Sequence, residues 1–222
     1  MIGVIFAMES EMDAFLTLFD HSYTHEIDPL VVHEVTVNDK KVYVTQSGIG
    51  KVNAAYITTK FLDLFSVQTL FNTGIAGGSG VDIGTLVLGT RTIQHDVDVT
   101  PFGYQKGEIP GMPVCYESDP DMLEAFKRVY DLPFVEGTIA TGDQFVTDKA
   151  FSEGFEAYAP IYAVDMESAA IAQIAYRHKV PFLSFRIISD VIGSATQITD
   201  EAAMTRATEE SGRALKALFE RL

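Results

Sequence analysis

A chain of 222 residues that is 47% hydrophobic and 21% charged is too apolar for a disordered protein and is long enough for one large domain. No apolar run reaches the roughly 18 residues of a membrane span, and the net charge of −15, without a cluster of Lys or Arg, argues against a nucleic-acid partner. The single cysteine excludes an intrachain disulfide, and the start of the sequence lacks the basic region of a signal peptide, so we expect a cytoplasmic protein.

Apolar runs with β-strand character alternate along the chain with segments of helical periodicity. In chain order, strands are predicted at residues 2–8, 30–37, 41–47, 69–74, 85–93, 135–141, 161–166 and 181–190. The polar turn NDKK joins the second and third of these as a hairpin. Helical periodicity falls at 12–19, 52–62, 122–129, 170–174 and from 199 onward, where Asp200 and Glu201 occupy the first turn. The alternation predicts an α/β fold with a sheet covered on both faces, in one domain over residues 1–222.

Two short polar stretches contain histidine. HSYTH (21–25) has an i,i+4 pair of histidines, but its polar composition is typical of a loop. His95, Asp96 and Asp98 of HDVD could ligate a metal, although a role in a polar loop is the favoured interpretation. We therefore expect neither a metal nor another cofactor.

Two glycine-rich stretches follow predicted strands. SGIGKV (47–52) is not a phosphate-binding P-loop, because Thr45 stands where a glycine is needed and Val52 follows the lysine. NTGIAGGSG (72–80) does not match the dinucleotide-binding motif and runs into a strand rather than a helix. Their glycines either form tight turns or let the backbone approach a ligand closely, and the pattern leaves both open.

Acidic residues follow three of the apolar strands, where α/β sheets bind ligands. The tripeptide Met-Glu-Ser occurs at 8–10, close to Glu11, and again at 166–168, just after Asp165. Asp190 ends the last strand. Such carboxylates can act as a general base or bind a hydroxyl, or they can simply satisfy a helix end or a turn.

Arg186 lies on the same apolar strand as Asp190 and needs a partner if it is buried. Glu11, Glu167 or a ligand could be that partner. Separated acids that face one pocket suit cleavage of a glycosidic bond, since one acid can protonate the leaving group while another activates water. The residues alone predict a small-molecule site with acid–base capacity.

Seven motifs occur in the same order as in the bacterial 5′-methylthioadenosine/S-adenosylhomocysteine nucleosidases of the nucleoside phosphorylase superfamily, which the chain resembles. They are IGVIFAMESEM, SGIGKVNAA, NTGIAGG, DVDVTPFGYQKGEIPG, TGDQF, VDMESAAIA and RIISDV. The resemblance covers most of the chain. It implies a three-layer α/β/α sandwich with a central mixed, twisted sheet. It also implies a homodimer that hydrolyses both thioethers to adenine and a thioribose product, in methionine salvage and the clearance of S-adenosylmethionine by-products.

The resemblance also assigns roles to individual residues. Glu11 would activate the attacking water, and Asp190, with Ser189 beside it, would protonate N7 of adenine. Glu167 would bind the ribose hydroxyls, and Arg186 would lie near the water and the ribose. The other substrate-binding residues implied in this way are Met8, Ile49, Ile75, Ala76, Gly77, Phe145, Val146 and Met166, with Phe102 and Pro110 from a neighbouring subunit.

Three departures from the family pattern affect the pocket for the 5′ substituent. Ile75 stands where a serine is usual, Asp165 stands where a glutamate is usual, and Ile198 would have to replace a missing aromatic. A reshaped pocket could favour methylthioadenosine or admit 5′-deoxyadenosine. The acids of FAMESEM would repel the phosphate of a phosphorylase, which favours a hydrolase. Phosphorylases, futalosine hydrolases and a non-catalytic nucleoside-binding protein are the alternatives.

Overall fold

The computed structural model describes residues 1–193 and 201–221. The expectations for Ile198 and Asp200 therefore lie outside the described residues. In chain order the elements are β1 (Ile2–Phe6), α1 (Glu9–Leu16), β2 (Tyr23–Ile27), β3 (Leu30–Val37), β4 (Lys40–Gln46), α2 (Lys51–Leu64), β5 (Thr69–Gly78), β6 (Leu86–Gln94), β7 (Cys115–Glu117), α3 (Pro120–Val129), β8 (Phe134–Thr141), β9 (Ile161–Asp165), α4 (Ser168–His178), β10 (Phe182–Val191) and α5 (Glu201–Arg221).

The strands form one mixed sheet in the order β10-β6-β8-β9-β5-β1-β4-β3-β2, with β7 added beside β6. Strands β1, β4, β5 and β10 run parallel, so their carboxyl ends share one edge. Strand β5 also pairs antiparallel with β9 through Gly77 and Gly78. This pairing brings the end of β9, at Asp165, to the edge where β5 and β10 end.

Helices cover both faces of the sheet. Helices α1, α3 and α5 pack on one face, and α2 and α4 pack on the other. The first core includes Phe15, Phe126 and Phe219, while the second includes Phe61 and Ile171. This arrangement confirms the predicted three-layer α/β fold. Among the described residues, no helix has both the length and the apolar character needed to cross a bilayer.

Several boundaries differ from the predictions. The predicted loop at 21–25 is wrong in part, because Tyr23–Ile27 forms the edge strand β2, where His25 lies 3.0 Å from Glu34 of β3. Strand β7 escaped prediction, since three residues are too few to show a period. Strand β5 continues past residue 74 to Gly78, so its last glycines lie within a strand rather than in a turn. The predicted hairpin between β3 and β4 is confirmed.

The stripe that predicts α2 is not the face that the helix buries. Its members are Val52, Ala55, Tyr56, Thr59 and Leu62. Helix α2 buries Ala54, Thr58 and Phe61. Two members of the stripe, Val52 and Tyr56, are 79% and 52% exposed. Helix α2 therefore has an uncovered apolar outer face.

Candidate active site

Glu11 is a buried carboxylate in the first turn of α1. Its Oε2 accepts a hydrogen bond from the Met8 N–H at 3.0 Å, and its Oε1 accepts one from the Ile75 N–H, also at 3.0 Å. Burial raises the pKa of Glu11, although the positive charge of Arg186 and the hydrogen-bond donors act against it. A carboxylate with a raised pKa is a stronger base than an exposed one.

The two Met-Glu-Ser copies place their glutamates differently. Glu9 is the exposed first residue of α1, whereas Glu167 is buried and immediately precedes α4. Glu167 Oε1 accepts a hydrogen bond from the Gly50 N–H at 2.9 Å. Burial, reinforced by the negative charge of Asp165, raises the pKa of Glu167 to about 7. The buried acid of the first copy is thus Glu11, two residues beyond the tripeptide's own glutamate.

Arg186 is 1% exposed and is paired with Asp165. Its Nη2 lies 2.7 Å from Asp165 Oδ2, and its Nε donates to the same oxygen at 2.8 Å. Nη2 also donates to Asn72 Oδ1 at 2.5 Å and to Ser168 Oγ at 2.9 Å. Asp165, noted in the sequence only as a departure from the family pattern, is therefore the ion-pair partner of Arg186 in the structure, rather than Glu11 or Glu167.

Asp190 lies within β10 and faces a small cavity, rather than capping a helix. Its Oδ1 accepts a hydrogen bond from Ser189 Oγ at 2.9 Å, and this hydroxyl is 3.3 Å from the carbonyl oxygen of Ala76. The cavity has a volume of about 40 Å³ and is lined by Gly77, Gln144, Phe145, Val146, Val164, Asp165, Met166, Asp190 and Ile192. The fold thus brings Asp190 together with four of the predicted substrate-binding residues, namely Gly77, Phe145, Val146 and Met166.

Other predicted site residues lie outside the cavity lining. Met8 and Ile75 contribute backbone N–H groups to Glu11, as described above. Ile49 is 53% exposed just before α2, and Phe102 is 82% exposed in the 3₁₀ segment Thr100–Phe102. Pro110 is also exposed. The last three side chains are at the surface of the single chain.

Sequence reasoning missed four residues of the site, namely Gln144, Val164 and Ile192 of the cavity lining and Asn72, which binds Arg186. Gln144 lies inside the TGDQF motif, and its position beside Phe145 was the available signal. Ile192 and Asn72 gave no signal, because both occur in apolar strand-like surroundings that are typical of a core.

Asp96, considered as a metal ligand, instead accepts a hydrogen bond from Lys51. The described residues contain no group of three or more His, Cys, Asp or Glu side chains that could hold a metal.

Comparison with known proteins identifies the family. The model of the phosphorylase superfamily matches residues 1–220. A 5′-methylthioadenosine/S-adenosylhomocysteine nucleosidase of Chromohalobacter salexigens is 35% identical over the whole of this chain and 97% of its own length. The crystal structure of the nucleosidase of that name from Neisseria meningitidis, in complex with methylthio-immucillin-A, is 32% identical with a TM-score of 0.91, over 100% of this chain and 99% of that one.

A futalosine hydrolase of Helicobacter pylori has a similar structure, with a TM-score of 0.92 and 30% identity over 100% of this chain and 97% of that one. The fold and the superfamily match together define a nucleoside phosphorylase-like protein. Its full-length relatives show that the chain belongs to the family of 5′-methylthioadenosine/S-adenosylhomocysteine nucleosidases.

Proposed function

We propose that this protein hydrolyses the N-glycosidic bond of 5′-methylthioadenosine and S-adenosylhomocysteine, releasing adenine and a thioribose product. The proposal is supported by relatives named 5′-methylthioadenosine/S-adenosylhomocysteine nucleosidase that match this chain over nearly their full length. Residues 1–222 act as one catalytic domain without a cofactor. The reaction serves methionine salvage and removes by-products of S-adenosylmethionine.

The surroundings of Glu11 are the observation that favours water over phosphate as the nucleophile. A phosphorylase must bind a phosphate dianion, commonly with arginines and N–H groups. Here the N–H groups of Met8 and Ile75 already bind the Glu11 carboxylate, and Asp165 neutralises Arg186. A phosphate anion beside Glu11 would be repelled by the negative charge of its carboxylate, whereas a neutral water molecule would not be repelled.

The reaction proceeds through a ribosyl cation with oxocarbenium character. Asp190 protonates N7 of adenine, which makes the base a better leaving group, and Ser189 holds the Asp190 carboxyl. Glu11 takes a proton from the water that attacks C1′, and its raised pKa suits it to this step. Glu167 accepts hydrogen bonds from the ribose 2′- and 3′-hydroxyls.

The remaining proposed contacts fix the orientation of the substrate. Phe145 stacks on adenine, the main chain of Val146 reads the edge of the base, and Met166 packs on the sugar. The strand segment Ile75, Ala76 and Gly77 lies beside the nucleoside. The alkylthio group is enclosed by Met8, Ile49, and Phe102 and Pro110 of a second subunit.

A homodimer supplies this second subunit. In the single chain, Ile49, Val52, Tyr56 and Phe102 are each more than half exposed. Exposed apolar side chains close together along a helix, such as Ile49, Val52 and Tyr56 at the start of α2, are typical of an interface. A second copy would cover the outer face of α2 and complete the pocket for the 5′ substituent.

Substitution of the two acids tests the mechanism against a matched control. Glu11→Gln and Asp190→Asn should keep the fold and lower kcat by about 10²–10⁴-fold each, the usual effect of a general acid or base. Glu9→Gln, an exposed acid in the same helical turn as Glu11, should retain the wild-type kcat. A kcat near that of the wild type for either site variant would refute the role assigned to that residue.

Futalosine is the second candidate substrate, because the structure of a futalosine hydrolase matches this chain as well as that of a nucleosidase does. Both candidates are nucleosides cleaved at the N-glycosidic bond, and their 5′ substituents are different. The ratio of kcat/KM for methylthioadenosine and futalosine separates the candidates. A ratio above one supports the proposed substrate.

A further inference from the structure

A cluster of charged groups joins three segments at the start of α2, outside the residues assigned to the chemistry. Lys51 Nζ donates to Asp96 Oδ1 at 2.7 Å and to Gln94 Oε1 at 3.0 Å. Asp96 Oδ2 accepts a hydrogen bond from the Asp143 N–H at 2.9 Å. Asp143 Oδ1 accepts one from the Lys51 N–H at 2.7 Å, which closes the circuit. We call Lys51, Asp96 and Asp143 the Lys51 clamp.

Two members of the clamp, Lys51 and Asp96, are largely shielded from water, whereas Asp143 is exposed. The side chains of Lys51 and Asp96 are 18% and 12% exposed. Burial tends to raise the pKa of Asp96, but the hydrogen bonds from Lys51 and Asp143 outweigh it and lower that pKa. Asp96 is therefore ionised at neutral pH, and the charge-assisted hydrogen bonds of the clamp are strong ones.

The clamp adjoins the hydrogen bond between Gly50 and Glu167. Gly50 directly precedes Lys51 and donates its N–H to Glu167 Oε1 at 2.9 Å. Gly50 has a φ of +96°, and a β-carbon there would lie 3.1 Å from Asp143 Oδ1, so the clamp packs directly against this residue. The donor of the Gly50–Glu167 bond is thus held on its C-terminal side by the clamp.

The acceptor side is tied to the same cluster. Gln94, which accepts from Lys51 Nζ, donates through Nε2 to Gln173 Oε1 at 2.8 Å. Gln173 belongs to α4, the helix that Glu167 immediately precedes. One lysine therefore connects the segment that carries the donor with the helix that follows the acceptor.

We propose that Lys51 is a positioning residue: through the clamp it holds the Gly50 N–H against Glu167, and so aligns the Glu167 carboxylate with the ribose hydroxyls of the substrate. This inference rests on the proposed function in one respect, namely that the group bound by Glu167 is the ribose of a nucleoside. Loss of the clamp should affect a nucleoside with both ribose hydroxyls more than one that lacks them. A general loss of structure would affect both nucleosides alike.

The test compares Lys51→Met with Lys41→Met. Lys41 forms an ion pair of the same 2.7 Å length with Glu34, but it is 55% exposed and lies on β4. The first readout is the exchange rate of the Gly50 amide hydrogen in the ligand-free protein. The second is the ratio of kcat/KM for methylthioadenosine to kcat/KM for its 2′,3′-dideoxy analogue.

For Lys51→Met we expect Gly50 exchange to rise, and the kcat/KM ratio to fall, each by about tenfold or more, as for loss of one charge-assisted hydrogen bond. Lys41→Met should change neither quantity. Unchanged Gly50 exchange, or an equal loss of kcat/KM for both nucleosides, would overturn the proposal. If Lys51→Met does not fold, Asp96→Asn removes the negative charge that pairs with Lys51 Nζ at nearly constant shape. The same two readouts then support or overturn the proposal.

Failure of the proposed function gives a different result. In that case the wild-type protein releases no adenine from methylthioadenosine, whatever happens at residue 51. Exchange of the Gly50 amide does not depend on turnover, so unchanged exchange in Lys51→Met still refutes the clamp and increased exchange still supports it.

Discussion

The guanidinium of Arg186 lies 2.7 Å from Asp165 Oδ2, and both side chains are almost completely buried. Asp165 also accepts a hydrogen bond from Thr141 Oγ1 at 2.6 Å. The pair acts on both acids with raised pKa values, because the charge of Asp165 helps to raise the pKa of Glu167 while that of Arg186 opposes the rise at Glu11. The pair therefore affects both the stability of the fold and the electrostatics of the site.

Breaking this pair should be costly. Asp165→Asn leaves a buried guanidinium without its counter-charge, and we expect the free energy of unfolding to fall by about 3–5 kcal/mol. Denaturant titration measures the loss. Asp165→Glu keeps the charge and should lose less. An Asn variant as stable as the wild type would mean that Arg186 does not depend on Asp165.

Gly74 has no room for a side chain. A β-carbon there would overlap Glu11 Oε1 and would lie 3.0 Å from Nη1 of Arg186. Gly74→Ala should therefore displace the Glu11 carboxylate, cost about 1–3 kcal/mol of stability through overpacking and lower kcat. Gly80→Ala is the control, since nothing lies within 4 Å of a β-carbon at Gly80. Equal kcat values for the two variants would mean that the space at Gly74 does not position the Glu11 carboxylate.

The activity should fall on the acid side of neutrality. Glu167 binds hydroxyls best when ionised, and its pKa is raised to about 7. The pKa of Glu11, the proposed base, is raised as well. We expect kcat/KM to decline as the pH falls below about 7, measured as a pH–rate profile. A decline that begins only near pH 4.5, the ordinary value for glutamate, would contradict the environment described for Glu167.

The same shift predicts how stability changes with pH. The folded protein holds a proton on Glu167 more tightly than the unfolded chain does, so this contribution is full below pH 4.5 and is lost as the pH rises to about 7. Glu167→Gln lacks the contribution. Between pH 4.5 and about 7, the unfolding free energy of the wild type should therefore decrease relative to that of the variant. A difference between the two that does not change with pH would refute the raised pKa of Glu167.

The outer face of α2 should control assembly. Val52→Glu places a charge on an exposed apolar residue of this face, and we expect it to dissociate the proposed dimer and lower kcat/KM, because the pocket for the 5′ substituent would lose Phe102 and Pro110 of the second subunit. Leu132→Glu introduces the same charge at another exposed apolar position. Sedimentation velocity distinguishes the two. A Val52→Glu variant with wild-type mass and activity would contradict the interface.

Local patterns predicted much of the fold, because alternation and helical periodicity follow from which side chains face the sheet. They failed at α2, where an uncovered apolar face gives the same stripe as a buried one, and at β2, where exposed residues such as Tyr23 and Thr24 form an edge strand. The fold class can thus be predicted largely from local sequence patterns, whereas the face that a helix buries cannot.

The site was less predictable because its contacts join distant segments. The acids could be recognised by their position after strands. The partner of Arg186 could not be recognised in this way, because Glu11, Asp165 and Glu167 all lie at the ends of strands. The pairing of β5 with β9 at Gly77 and Gly78 is what brings Asp165 to Arg186. The contact from Gly50 to Glu167 spans 117 residues and leaves no trace in the local pattern.

The most direct test of whether the protein is a hydrolase is adenine release from methylthioadenosine, measured in phosphate-free buffer and again with added phosphate. We expect the same rate in both buffers, with free methylthioribose as the other product. Release that requires phosphate and yields a sugar phosphate would show that an anion can enter beside Glu11 and that phosphate, not water, is the nucleophile.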